Sequence, residues 1–215
     1  MDPVRFSSED GVSLEGELRL PEGPIRGTAV ICHPHPRRGG SKDHPLLWAI
    51  RNDLAHRGFA VLGFNFRGVT GSAGSYGGGR DETRDVVAAI ARVREEAPAA
   101  PTVVCGWSFG ANVALREALD DPRVGALALV GLPLAPKDLD VPRLHQPAEL
   151  TLLRRPVLLL AGDRDEFCPA EEMRAFAAGL PLAEVAILPG TDHYYWRREK
   201  EAAALIGRFA ERLLG

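Results

Sequence analysis

Gly106-Trp107-Ser108-Phe109-Gly110 decides the reading of this chain. The pentapeptide has the form G-x-S-x-G, and its setting matters more than its letters. Residues 103–105, Val-Val-Cys, are a continuously apolar run of the kind that forms a buried strand. Residues 111–119 have helical spacing. Strand, tight turn and helix in that order lift a serine hydroxyl onto the top of a sheet. In so tight a turn, side chains at 106 and 110 would strike neighbouring backbone, so both positions ask for glycine. The serine at the apex is held in strained backbone geometry, and the positive end of the helix lies beneath it. With 23 glycines in 215 residues, the letters alone could also mark a plain structural turn.

A serine hydroxyl is a poor nucleophile near neutral pH. It needs a base, and the base needs an acid to orient it. Candidates follow in the order Ser, acid, His. The apolar run 157–161 ends at Gly162-Asp163-Arg164-Asp165, and the run 184–188 at Pro189-Gly190-Thr191-Asp192-His193. Between Asp165 and His193 there is room for one helix and one strand, which returns His193 to the edge of the sheet that carries the acid. Three catalytic residue types at the ends of three strands say more than the pentapeptide does.

The rest of the chain supplies the sheet. Strand patterns cover residues 12–20, 28–32, 59–66 and 124–132. Helical patterns cover 46–56, 81–96, 170–178 and 199–214. Strands alternating with helices predict an α/β fold, a mostly parallel sheet with helices on both faces and sites at the carboxyl ends of strands. Residues 1–215 read as one domain, with an irregular, proline-rich excursion over 133–156.

Composition excludes several classes. The net charge of −3 gives no global case for nucleic-acid binding. No apolar run approaches the roughly 20 residues that span a bilayer, and Met1 to Arg5 lack the apolar core of a signal peptide, which predicts a cytoplasmic protein with no membrane partner. Three cysteines without C-x-x-C predict free thiols, buried at Cys32 and Cys105, with Cys168 in a loop. His33-Pro34-His35-Pro36 contains H-x-H, but no third ligand stands at a metal-site spacing, so it reads as a rigid turn and no metal is assigned. His44, His56 and His145 read as surface or capping residues. Arg67, beside Asn65 at a strand end, reads as a brace for the glycine-rich stretch 68–79 through a buried ion pair. That stretch matches no nucleotide-binding loop and reads as a mobile surface loop.

Five segments together resemble the small, cap-less bacterial serine hydrolases of the α/β-hydrolase superfamily, relatives of the dienelactone-hydrolase group. They are His33-Pro34-His35-Pro36 with Gly39-Gly40; Asn65-Phe66-Arg67-Gly68-Val69 with Gly71-Ser72 and Gly74; Gly106 to Gly110; Gly162 to Asp165 with Pro169; and Gly190 with His193. The resemblance implies an α/β-hydrolase fold without a full cap domain and a Ser108–His193–Asp165 triad, with Asp163 left to brace its turn. It also implies an oxyanion hole from the backbone N–H groups of Phe109 and His35; Pro34 and Pro36 have none to offer. The expected reaction is hydrolysis of a small-molecule carboxylic ester through an acyl-enzyme, with no cofactor. Trp107 and Tyr194 are candidates for the substrate pocket, and Phe109, Tyr195 and Trp196 flank it. A thioesterase, amidase or peptidase using the same triad stays open, as does a non-catalytic scaffold that binds a ligand or partner. The chain departs from the pattern in two places. Dienelactone hydrolase has a cysteine where Ser108 stands, and Asp192 precedes His193 where a small residue is common. Oligomeric state is not legible.

Overall fold

The computed structural model describes residues 2–135, 141 and 147–214. Its strands are β1 (Asp2–Ser7), β2 (Ser13–Arg19), β3 (Gly27–Cys32), β4 (Phe59–Phe64), β5 (Thr102–Trp107), β6 (Val124–Val130), β7 (Val157–Gly162) and β8 (Ala183–Leu188). Its helices are α1 (Pro45–His56), α2 (Glu82–Arg94), α3 (Phe109–Asp120), the short α4 (Pro147–Leu150), α5 (Ala170–Ala177) and α6 (Glu199–Glu211). The strands form one sheet in the order β1-β2-β4-β3-β5-β6-β7-β8. From β4 to β8 every neighbour pair is parallel; β1 and β2 run antiparallel at one edge.

The continuously apolar runs take the centre. Every residue of β3, β4, β5 and β7 is buried, as strands covered on both faces must be. Alternate side chains feed two cores. Val30, Cys32 and Val104 pack with α2 and α3, whereas Ile31, Val103 and Cys105 pack with α1 and α6. Cys32 and Cys105 thus sit on adjacent strands but face opposite ways. β1 is an element that the sequence reading did not anticipate. It is mostly exposed, with no long apolar run, and it is held by pairing with β2.

The pairing continues one residue past several strands. The amide of Ser108 reaches the Val130 carbonyl at 2.8 Å, that of Gly131 the Leu160 carbonyl at 2.7 Å, and that of Asp163 the Leu188 carbonyl at 3.1 Å. The loops at the carboxyl end are therefore stitched to one another before any side chain acts. No helix among the described residues is long and apolar enough to cross a membrane. Within the excursion 133–156, residues 136–140 and 142–146 lie outside the described residues, and the reading of His145 falls there.

The glycine-rich stretch 68–79 is a surface loop, as expected, and hydrogen bonds fasten it at several points. The Ser72 hydroxyl donates to the Asn65 carbonyl at 2.7 Å, and the Ala73 amide donates to the Ser13 carbonyl at 2.8 Å. The buried Glu82 carboxylate accepts the amides of Gly77 and Gly79, both at 2.7 Å. Composition could not reveal this, because the acceptors come from outside the stretch.

Candidate active site

The site lies where the connections of the sheet part. After β3 the chain crosses to β4 on one side, and after α2 it returns to β5 on the other. The loops leaving the carboxyl ends of β3 and β5 therefore diverge, and a crevice opens between them. Ser108 stands there. Its backbone is at φ 56°, ψ −117°, a conformation that costs a non-glycine residue about 1–3 kcal/mol. The surroundings hold it: besides the bond to Val130, its carbonyl accepts the amides of Ala111 and Asn112 at 2.9 and 3.1 Å. A Cβ on Gly106 would lie 2.2 Å from the Gly110 carbonyl oxygen, and one on Gly110 would lie 2.4 Å from that of Cys32. Only glycine lets β5, the turn and the β3 loop approach so closely.

The three residues from separate strand ends come together in one hydrogen-bonded chain. Ser108 Oγ lies 3.0 Å from His193 Nε2, and His193 Nδ1 lies 2.8 Å from Asp165 Oδ2. All three are buried. The second carboxylate oxygen of Asp165 accepts the amides of Phe167 and Cys168, both at 3.0 Å, which fixes its orientation. With Nδ1–H donated to the carboxylate, Nε2 of the neutral ring carries no hydrogen and can accept from the serine hydroxyl. Asp163 stands apart from this chain: it is exposed, and its Oδ1 accepts the Thr191 amide at 3.3 Å. Asp192 is also exposed and caps the Tyr194 amide at 2.9 Å.

The loop after β3 carries a role that the sequence reading missed. His33 is fully buried; its Nε2 accepts the Phe66 amide at 3.0 Å, and its Nδ1 donates to the Pro34 carbonyl at 2.6 Å. It thereby ties the loop after β3 to the loop after β4. Burial pushes its pKa down to about 4, so the ring is neutral. With both nitrogens engaged, neither is left for a metal. His35 sits at the crevice; its carbonyl accepts the amides of Arg38 and Gly40, and its Nδ1 caps the Arg37 amide at 3.2 Å. Phe109 is buried, and its amide opens α3, where geometry leaves it no intrahelical acceptor.

Arg67 turns away from the crevice. It is buried against Asp85, 2.7 Å from its Nη2, and against Asp10, 2.8 Å from its Nη1. Burial holds the Asp85 carboxyl above the usual range, only partly offset by Arg67. Asn65 is likewise internal, accepting the Lys42 amide at 2.8 Å and donating to Glu15. The buried thiols Cys32, Cys105 and Cys168 are all pushed up by burial, Cys105 to about 12, which leaves them unreactive.

Above Ser108 lies a cleft of about 270 Å³ whose walls include His44, Trp107, Phe167, Tyr194 and Trp196. Of the flanking aromatics, Trp107, Tyr194 and Trp196 line it, whereas Tyr195 is buried with its hydroxyl on the Leu160 carbonyl. Trp107 also donates its Nε1 to the His193 carbonyl at 3.2 Å. A second depression of about 310 Å³, between residues 21–26 and 55–58, lies at the amino ends of β3 and β4, away from this chemistry.

The family described as "Alpha/beta hydrolase domain" matches residues 28–211. The fold is similar to an alpha-beta serine hydrolase homologue from Coxiella burnetii, at 29% identity and TM-score 0.84, covering 96% of each chain. It is also similar to a Xanthomonas campestris protein described as an a/b serine hydrolase without lid, at 26% identity and TM-score 0.83, covering 98% of this chain and 94% of the other. A Rickettsia prowazekii protein described as uncharacterized is 25% identical over 218 residues, 97% of this chain and 88% of its own.

Proposed function

The chain belongs to the alpha/beta hydrolase domain family, and from that membership we propose that it is a serine hydrolase that cleaves a carboxylic ester through an acyl-enzyme. The observation that carries the reading is the unbroken chain from Ser108 Oγ through His193 to Asp165, with links of 3.0 and 2.8 Å. Ser108 Oγ attacks the ester carbonyl carbon while His193 Nε2 takes its proton. Negative charge gathers on the carbonyl oxygen. The amides of Phe109 and His35 donate to it, and the N-terminus of α3 points its positive end there. The imidazolium, held by Asp165, gives the proton to the alcohol oxygen as the C–O bond breaks. Water then enters, and His193 takes its proton as its oxygen attacks the acyl carbon. Ser108 departs with that proton, leaving the free acid. Every step uses groups of this chain and water.

A fluorophosphonate probe tests the assignment. The wild-type protein should take up one equivalent, with the adduct located on Ser108 by peptide mass mapping. A protein that stays unlabelled while folded is a binding scaffold rather than a hydrolase. Ester, thioester and amide panels then separate the leaving groups.

A further inference from the structure

The walls of the cleft say more than its floor. His44 precedes α1, and its Nδ1 accepts the Leu46 amide at 3.2 Å, capping that helix. The cap fixes the tautomer: with Nδ1 as acceptor, the neutral ring carries its hydrogen on Nε2. Burial lowers the His44 pKa, opposed by Glu199, so the ring presents an uncharged face. That ring bridges two indoles, with its centroid 4.4 Å from Trp107 and 5.5 Å from Trp196. Trp107 is 2% exposed and anchored to the His193 carbonyl, so this side of the wall is rigid. Trp196 is 58% exposed and Tyr194 50%, both lining the cleft that holds Ser108. Uncovered aromatic surface beside a nucleophile is surface that a ligand gains by covering.

Resting on the reading of Ser108 as the nucleophile, we propose that His44 and Trp196, backed by Trp107, form an aryl-recognition wall, and that His44 makes the enzyme select esters carrying an aromatic ring next to the scissile bond. Aromatic rings prefer tilted or edge-on partners at centroid distances of about 4.5–7 Å, a geometry that a saturated ring of similar size does not exploit. The size of the cleft agrees. A cavity of about 150 Å³ holds one benzene ring, so about 270 Å³ leaves room for an aryl ring together with the ester group.

Two matched pairs of substrates test this without changing the reacting bond. Ethyl phenylacetate against ethyl cyclohexylacetate places the ring on the acyl side. Benzyl butyrate against cyclohexylmethyl butyrate places it on the alcohol side. The wild-type kcat/KM should favour the aromatic member about fivefold or more in at least one pair, and the pair that responds tells which side of the ester meets the wall. In His44→Asn, which can still cap Leu46, that ratio should fall toward one; Trp196→Ala should lower it as well. Melting curves and probe labelling of Ser108 confirm that the His44 variant is folded. No aromatic preference in either pair, or a preference that survives in His44→Asn, overturns the proposal. A wild-type protein that neither labels nor hydrolyses any ester instead overturns the hydrolase reading, and this inference with it.

Discussion

Asp165 and Asp85 invite comparison. Both are carboxylates buried near the carboxyl ends of strands, and each is bonded to a nitrogen side chain and to backbone amide. Around Asp85 the network closes on itself: Arg67 fills its oxygens, and Asp10 takes the remaining face of the guanidinium. Around Asp165 the network stays open at one end, because His193 passes on to the Ser108 hydroxyl beneath a cleft. A buried charge alone therefore marks neither structure nor chemistry. What differs is whether the last group in the chain still has a proton to give and space in front of it.

The largest expected effect tests the open network. Ser108→Ala should lower kcat by about 10⁴ to 10⁶ with an unchanged melting temperature, since alanine fits the turn. An alanine variant with wild-type ester turnover would remove the distinction altogether. Next is the choice within one loop. Asp165→Asn should cost about 10⁴ in kcat, whereas Asp163→Asn should stay within about tenfold, because Asp163 only accepts the Thr191 amide. Reversal of that order in steady-state assays would move the open network onto the wrong carboxylate.

The closed network should answer in stability instead. Arg67→Met leaves Asp85 buried without its cation and should cost about 3–5 kcal/mol, which lowers the melting temperature by roughly 10 °C in a chain of this size. The folded fraction should still label at Ser108. Full stability with lost turnover would mean that Arg67 meets the substrate after all. The smallest effect sharpens the contrast with a base that lacks a carboxylate. The unfolded chain binds a proton at His33 near 6.5, whereas the folded chain resists it down to about 4. The neutral ring therefore adds stability that is complete above pH 6.5 and is lost as pH falls toward 4, about 3 kcal/mol in all. Urea unfolding across that range should show a steeper acid loss in wild type than in His33→Gln. Parallel curves would sink the idea.

The sequence carried much of this because the relevant signals were local. The apolar runs of β3, β5 and β7 are buried on both faces, so their composition announced them, and the glycines of the turn after β5 are required by contacts within a few residues. Strand ends offered Ser108, the pair Asp163 and Asp165, and His193 in that order, and the family resemblance is what singled out Asp165 from the pair. Illegible were features whose partners are distant in sequence. β1 exists through its pairing with β2. His33 read as part of a rigid turn, and only the Phe66 amide, 33 positions away, gives its ring an occupation. The glycine stretch looked loose because Glu82 and Ser13 hold it from outside. His44 looked like a cap, and it is one, but its place between two indoles depends on residue 196 arriving beside residue 107.

The amides that extend the pairing past β5, β6 and β7 make the sheet a ruler. Neighbouring strands repeat about every 4.8 Å, and β5, β7 and β8 stand at fixed counts along that repeat. The separations among Ser108, Asp165 and His193 are thus set by a backbone lattice that no individual side chain defines. Length changes have unequal consequences on such a lattice. A residue added at 97–101, between α2 and β5, lengthens a connection and leaves the rungs where they are. A residue removed from within β5 turns every later side chain of that strand to the opposite face, and Ser108 with them. Over many generations, insertions can gather between the strands while the lengths of the strands themselves stay fixed.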